Sequence, residues 1–410
     1  MNNEMNIIEK YLARAAGVDA LEMGQDIRCA VDLVVSHDVT APMAISRFRE
    51  IGVDHVFSKD GVVMVMDHIV PAATVKAREG QWAMKDFAAQ YGIPLYQRSE
   101  GVVHQLVGER HRLAPGGIVV GADSHTGTCG GYGVIGIGVG STEAAAAMAT
   151  GYVDVEVPPV IRCRLTGKLP GNVFGKDIVL HLLRQFGTAG LTDKALLLTG
   201  PAAQSLPEEE RMTICNMGIE MGAFITLFDL TPDAPSGGAG AFAQTVEVAL
   251  DGLEPLAACP PSPGNVKPVR ELTDVALTQV VVGSCTNGRL NDMWQLVVRL
   301  KGRQVAEGVS LLVIPASDRI LAGMEANGWT KILRDAGATI TNPGCGPCFG
   351  AHQGLVTKRD VVASTTNRNF PGRMGHRDGR IYLVSPATAA ASALTGRLTV
   401  PDIQPAQQRA

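Results

Sequence analysis

Charge bias, aromatic residues, cysteines and long apolar runs are all scarce in this chain, and each scarcity removes a class of function. The 36 Lys and Arg nearly balance the 40 Asp and Glu, for a formal net charge of −4. Without a Lys/Arg-rich run to neutralise phosphates, nucleic acid is not an expected partner. No segment reaches the roughly 18–20 consecutive apolar residues of a membrane span, so no membrane association is expected either. The N-terminal MNNEMNIIEK has neither the basic start nor the apolar core of a secretory leader. Eight cysteines among 410 residues do not make a disulfide framework, and a reducing cytoplasm is the expected setting. Aromatics at 5% leave Ala, Val, Leu and Ile to build the core. Glycine is abundant instead, 47 residues against a usual share of about 7%, which predicts tight turns and close backbone approaches.

The length exceeds a single ordinary core, so two or three domains are expected. Strands are predicted over 29–35, 62–66, 117–122, 160–165, 278–283, 311–315, 361–365 and 381–384, and helices over 42–51, 72–91, 142–150, 176–187, 289–301 and 387–395. This alternation is the pattern of an α/β fold with mainly parallel sheets covered by helices. Proline-rich EVPPV (156–160) and ACPPSPGNVKP (258–268) mark boundaries, giving three expected α/β/α domains over 1–157, 158–266 and 267–410. The tail PDIQPAQQRA is expected to be poorly ordered.

Polar motifs fall at the carboxyl ends of these strands, where open α/β sheets bind ligands. VVMVM runs into Asp67-His68, GIVVGA into Asp123-Ser124-His125, and TQVVVG into Ser284-Cys285-Thr286-Asn287. ATIT leads to Asn342-Pro343-Gly344-Cys345, with Cys348 completing C-x-x-C, and VVAST leads to Thr366-Asn367-Arg368. Five such clusters point to one convergent site. Cys285, Cys345 and Cys348 are then a thiolate set able to hold a metal centre.

Each motif has a plainer reading. CGPC occurs in dithiol redox proteins, but here Asn342-Pro343-Gly344 precede it and the chain is several times too long for that fold. Zinc held by the three cysteines and His352 is a structural alternative that residue types alone leave open. Gly131–Gly136 matches G-x-G-x-x-G but follows the polar turn DSHTGTC and not a strand, so a packing turn before the 141–150 helix is expected. Asp67-His68, His104 and Asp123-x-His125 concentrate imidazoles and carboxylates in a chain with nine histidines, the composition of general acid–base chemistry. Arg368 and Arg373, presented from one loop with Asn367, Asn369 and Gly372, suit bidentate recognition of a dicarboxylate.

Taken in order, DHIVP, GVVHQ, ADSHT, NMGIEMGA, GSCTNGR, NPGCGPCFG and STTNRNFPGRMGH resemble the active-site and cluster-ligand blocks of the aconitase superfamily over nearly the whole chain. Within it the likeness is strongest to the separate large subunits that act on 3-isopropylmalate and homoaconitate. The resemblance implies one 4Fe–4S cluster on Cys285, Cys345 and Cys348, with the fourth iron lacking a cysteine ligand and open to substrate as a Lewis acid. It implies the carboxylate–histidine pairs Asp67–His68, Asp123–His104 and Glu220–His125, with His68 donating a proton to the departing hydroxyl. It also implies that Arg368 and Arg373 hold substrate carboxylates, with Ser124, Asn216 and His37 nearby. The chain departs from the family pattern at Phe349, usually a smaller aliphatic, and at Val103, a cysteine in many relatives.

The Ser-Ser-Arg segment of the family's swivel domain, source of the base for the carbon-bound proton, is not found. The resemblance therefore implies the three iron–sulfur domains without a swivel domain, and a heterodimer in which a small subunit supplies the serine base and a substrate-reading loop. The implied activity is a hydro-lyase acting on a hydroxy dicarboxylic acid. Isomerisation of 2- and 3-isopropylmalate in leucine biosynthesis comes first, with homoaconitate hydration and 2,3-dimethylmalate or citramalate dehydration as alternatives. A non-catalytic, zinc-stabilised scaffold is the reading from another class.

Overall fold

Three mainly parallel sheets and one small antiparallel pair organise the chain, described by a computed structural model over residues 5–111, 113–231 and 241–403. The expectation for residues 404–410 of the tail lies outside the described residues. The first sheet runs Leu95–Tyr96, Val62–Val65, Leu33–His37, Ile118–Gly121, Ile135–Gly138, with every pairing parallel. Apart from the half-buried edge strand Leu95–Tyr96 and the exposed end of Ile135–Gly138, its strands are buried on both faces, as parallel strands usually are. Val34, Met64 and Val120 point into a core with Phe48, Phe87 and Met148 of the flanking helices Ala41–Ile51, Val75–Tyr91 and Ser141–Thr150. Their neighbours Val35, Val63 and Val119 point the other way, against Leu106 and Val107 of the helix Val103–Arg110.

The second sheet, Ile225–Phe228, Ala195–Thr199, Val160–Thr166, Gln244–Ala249, is also parallel throughout. The third has seven strands, in the order Val266–Pro268, Leu256–Ala258, Arg380–Val384, Val361–Ser364, Gln279–Gly283, Ser310–Ile314, Ala338–Ile340. Only its first two strands join antiparallel, and they bring this sheet's start upstream of residue 267. Among the described residues no helix is long and apolar enough to cross a membrane.

Two elements differ from expectation. The segment 29–35 is not one strand: Asp26–Ala30 pairs antiparallel with Tyr152–Glu156, and Leu33–His37 enters the first sheet. The break falls where Asp32 turns its carboxylate to accept Ile118 N at 2.8 Å, ending one ladder before the next begins. The glycine-rich run expected as a packing turn contributes the strand Ile135–Gly138. Glycine is required there because a Cβ on Gly136 would lie 2.0 Å from Thr126 O, so close approach overrides glycine's poor strand propensity.

Candidate active site

The strand Gln279–Gly283 ends in a turn that only a particular backbone can make. Gly283 has φ 139° and a Cβ there would lie 2.0 Å from Ile314 O. Ser284, fully buried, follows at φ 69°, a left-handed conformation that costs a non-glycine residue about 1–3 kcal/mol and concentrates at functional sites. The strained turn delivers Cys285 inward, and Ser284 Oγ lies 3.9 Å from Cys285 Sγ and 3.7 Å from Cys345 Sγ. Cys345 caps the single turn Gly346–Phe349, and Cys348 lies within it. That turn is tied to the first sheet, because Cys345 N donates to Asp67 O at 2.9 Å.

All three cysteines are buried and free. Asn216 Nδ2 approaches Cys285 Sγ at 3.3 Å, and Asn367 spans two of them, with Nδ2 3.6 Å from Cys285 Sγ and Oδ1 3.6 Å from Cys348 Sγ. Burial, reinforced by Cys348, pushes the Cys285 thiol up to about 11. Contact with Cys345, helped by Arg373 Nη2 at 3.6 Å, holds Cys348 well below the ordinary thiol range despite its burial. Three thiolates cannot be buried together without a cation to share, so the donor set fits a metal centre.

The spacing bears on a closed zinc site. One zinc ion with sulphurs about 2.3 Å away would draw them within about 4 Å of each other. Among the described residues, the set of His, Cys, Asp and Glu ligand atoms lying within 4.8 Å of one another is His37, Asp38, Asp67 and His68, and the cysteines form no such set. Both ring nitrogens of His352 are without a hydrogen-bond partner, and it does not join the sulphurs as a fourth ligand. Among the described residues the three cysteines and His352 are therefore not drawn together as a closed Cys3His site would be. The tight His/Asp set is committed elsewhere: Asp38 accepts the Asp67, His68 and Ile69 N–H groups at 3.2, 2.9 and 2.9 Å.

Beside the thiols, imidazoles converge on Asp123. One carboxylate oxygen lies 3.0 Å from His37 Nε2, and the other lies 2.9 Å from His104 Nε2 and accepts His125 N at 2.6 Å. His68 Nδ1 lies 2.6 Å from Asp67, whose second oxygen accepts Val103 N at 2.7 Å. His125 Nε2 lies 3.1 Å from Glu220 Oε1, which also accepts Arg368 Nε at 2.7 Å. All three carboxylate–histidine pairs therefore stand at hydrogen-bond distance. Burial alone would lower the His68 pKa, but Asp67, with Asp123 and Asp38, raises it to about 9. Burial likewise opposes the charge on Asp123, yet His104, His125 and His37 together hold it well below the usual carboxylate range.

Arg373 reaches this constellation through Cys348, Asn216 through Cys285, and Ser124 through His125 Nδ1 at 3.5 Å. The two departures from the family pattern both touch the Asp67–His68 pair: the Phe349 ring stands edge-on to His68 at 5.2 Å, and Val103 donates its backbone N–H to Asp67. His68 is in turn stacked on His37 at 3.8 Å. Several participants escaped the sequence reading. Asp38 adjoins His37 at a strand end and could have been found by the rule that found Asp67 and Asp123. Lys176 and Arg289, both fully buried, lie within ordinary amphipathic helical stretches and carry no local signal.

A comparison with known protein families matches the aconitase family (aconitate hydratase) over residues 7–236 and 265–396. The chain is similar to 3-isopropylmalate dehydratase large subunit 1 of Methanopyrus kandleri, 41% identical over 96% of this chain and 98% of that one. It is also similar to the 3-isopropylmalate dehydratase large subunit of Moorella thermoacetica, 40% identical over 97% and 99% of the two chains. Among solved structures, the holo-form of Thermococcus kodakaraensis aconitase X shares the fold with a TM-score of 0.53 at 14% identity, over 89% of this chain and 93% of that one.

Proposed function

The chain belongs to the aconitase family, and from that premise we propose that it is the large subunit of a cytoplasmic hydro-lyase that interconverts 2- and 3-isopropylmalate in leucine biosynthesis. The observation that carries this reading is the meeting of three buried free thiols with three carboxylate–imidazole pairs and two guanidinium groups in one place. The family implies a 4Fe–4S cluster. Cys285, Cys345 and Cys348 would hold it, one per chain, with no cysteine left for its fourth iron. When bound, the cluster supplies a Lewis acid that polarises the substrate's hydroxyl group.

The chain's own residues supply the rest. Arg368 and Arg373 grip the substrate carboxylates, and Glu220 holds Arg368 at 2.7 Å so that its remaining donors face the ligand. His68, kept protonated by Asp67, gives its proton to the departing hydroxyl. A separate small subunit contributes the serine base for the α-proton and the loop that reads the alkyl substituent. The test is anaerobic loading with iron and sulfide, followed by assay on 3-isopropylmalate with and without the small subunit. Broad absorption near about 400 nm and turnover by the pair are expected; a colourless protein with one tightly held zinc would sink the reading.

The His68 pKa gives a second expectation. A proton donor with a pKa of about 9 is loaded at neutral pH and empties above it. Turnover should fall as pH rises through about 9. The same shift, upward from 6.5, contributes stability that is fully present below pH 6.5 and lost as pH rises through about 9. Asp67→Asn should move the alkaline limb of the pH–rate profile downward; an unmoved limb would assign the donor elsewhere.

A further inference from the structure

Two long cationic side chains, Lys176 and Arg289, are fully buried and lie outside the set that handles substrate. Each holds two consecutive backbone carbonyls. Arg289 Nη2 donates to Cys285 O and Nη1 to Thr286 O, both at 2.8 Å. Lys176 Nζ donates to Thr365 O at 2.8 Å and to Thr366 O at 2.6 Å. The held segments leave the adjacent parallel strands Gln279–Gly283 and Val361–Ser364, in register at Val281 and Ser364. One segment contains Cys285; the other runs directly into Asn367, which spans the Cys285 and Cys348 sulphurs.

The two cations also bind the site's parts to one another. Arg289 Nε donates to Gln105 Oε1 at 3.0 Å, next to His104, and Nη1 reaches Thr213 Oγ1 at 3.3 Å, one helical turn before Asn216. Lys176 sits in the first turn of the helix Gly175–Phe186, whose positive dipole end has the same sign. We propose that Lys176 and Arg289 are positioning residues for the cluster, clamping both strand-end loops and holding positive charge close to the three sulphurs. The inference rests on the cluster reading above.

Asp292, which accepts Arg289 N at 2.9 Å, offsets part of this charge, whereas Asp177 and Glu210 offset less of it. Burial pushes Asp177 up to about 7 and Glu210 up to about 8, so both resist ionising. Burial draws Lys176 down to about 7, while Asp292 and the Cys348 and Cys285 sulphurs draw it up.

The test uses the intact, cluster-loaded protein and reads the midpoint potential of the cluster, which a purely structural role would not move. Adding an electron places negative charge at the site, so removing a nearby cation should make the potential more negative. Lys176→Gln keeps a donor and loses the charge; it should shift the potential downward, while Lys176→Arg should restore it. Arg289→Gln makes the same prediction from the other loop, so a folding failure in one variant leaves the other to decide. A neutral variant that loses thermal stability but keeps the wild-type potential would overturn the proposal, as would equal shifts in Lys176→Gln and Lys176→Arg. If the wild-type protein itself loads no cluster, the failure belongs to the cluster reading.

Discussion

Cys285→Ser is expected to leave a folded protein that retains no iron–sulfur chromophore and turns over on the order of 10^3-fold more slowly, or not at all. The size follows from what is lost: a Lewis acid contributes several kcal/mol of transition-state stabilisation, and each 1.36 kcal/mol is about tenfold in rate. Only Cys345 and Cys348 would remain, on one short turn. The fold should survive because a serine hydroxyl can still accept from Asn216 Nδ2 and Asn367 Nδ2, now 3.3 and 3.6 Å from the sulphur. Cys163→Ser is the contrasting control. Cys163 is fully buried in the apolar cluster that includes Leu198, Ile178 and Val248, with burial pushing its thiol to about 12. A hydroxyl there costs about 1–3 kcal/mol but should leave colour and turnover intact. Absorption spectra, iron content and thermal melts of the two variants separate chemistry from folding. A coloured, active Cys285→Ser protein would contradict the ligand assignment.

The parts of this site that were readable in the sequence are those in which one strand end carries both the backbone geometry and the reacting group. Asp67-His68, Asp123-Ser124-His125 and Ser284-Cys285 are such places, because an apolar parallel strand gives way there to polar, titratable residues. The shared roles were not readable. Asp123 was expected to serve His104, yet it also accepts from His37 and from the His125 backbone. Glu220 serves Arg368 as well as His125. Such sharing depends on how separate sheets close against each other, which no local pattern encodes. The helix Glu208–Asn216, which places Asn216 on Cys285, lacks an apolar stripe at its start: Glu208, Glu209 and Glu210 occupy its first turn. Those acids suit the positive end of a helix, but they disguise an element whose other end is buried. Lys176 and Arg289 escaped for the opposite reason, since a basic residue in an amphipathic helix ordinarily faces water.

Asp123→Asn should lower kcat by about 10^2–10^4-fold, the range general acid–base groups supply, because an amide cannot satisfy what surrounds this carboxylate. One oxygen faces His37 Nε2 at 3.0 Å; the other faces His104 Nε2 at 2.9 Å and His125 N at 2.6 Å. Asparagine offers one acceptor and one donor group. If its NH2 turns toward His37, that ring must accept at Nε2 and carry its proton on Nδ1. But His37 Nδ1 already accepts Val39 N at 3.3 Å, so two donors would meet. If the NH2 turns the other way, it meets the His125 backbone N–H. His104 could adapt, since its Nδ1 has no partner, but the peptide N–H cannot. Either orientation leaves a buried donor conflict costing about 1–3 kcal/mol. The substitution also removes one of the negative charges that, against burial, hold His68 protonated, so the alkaline limb of the pH–rate profile should move toward neutrality. Glu220→Gln, which touches His125 and Arg368 but not His68, should weaken substrate binding more than it moves that limb. Steady-state kinetics across pH for both variants decide the matter: a wild-type pH profile in Asp123→Asn would show that this carboxylate orders side chains without governing their protons.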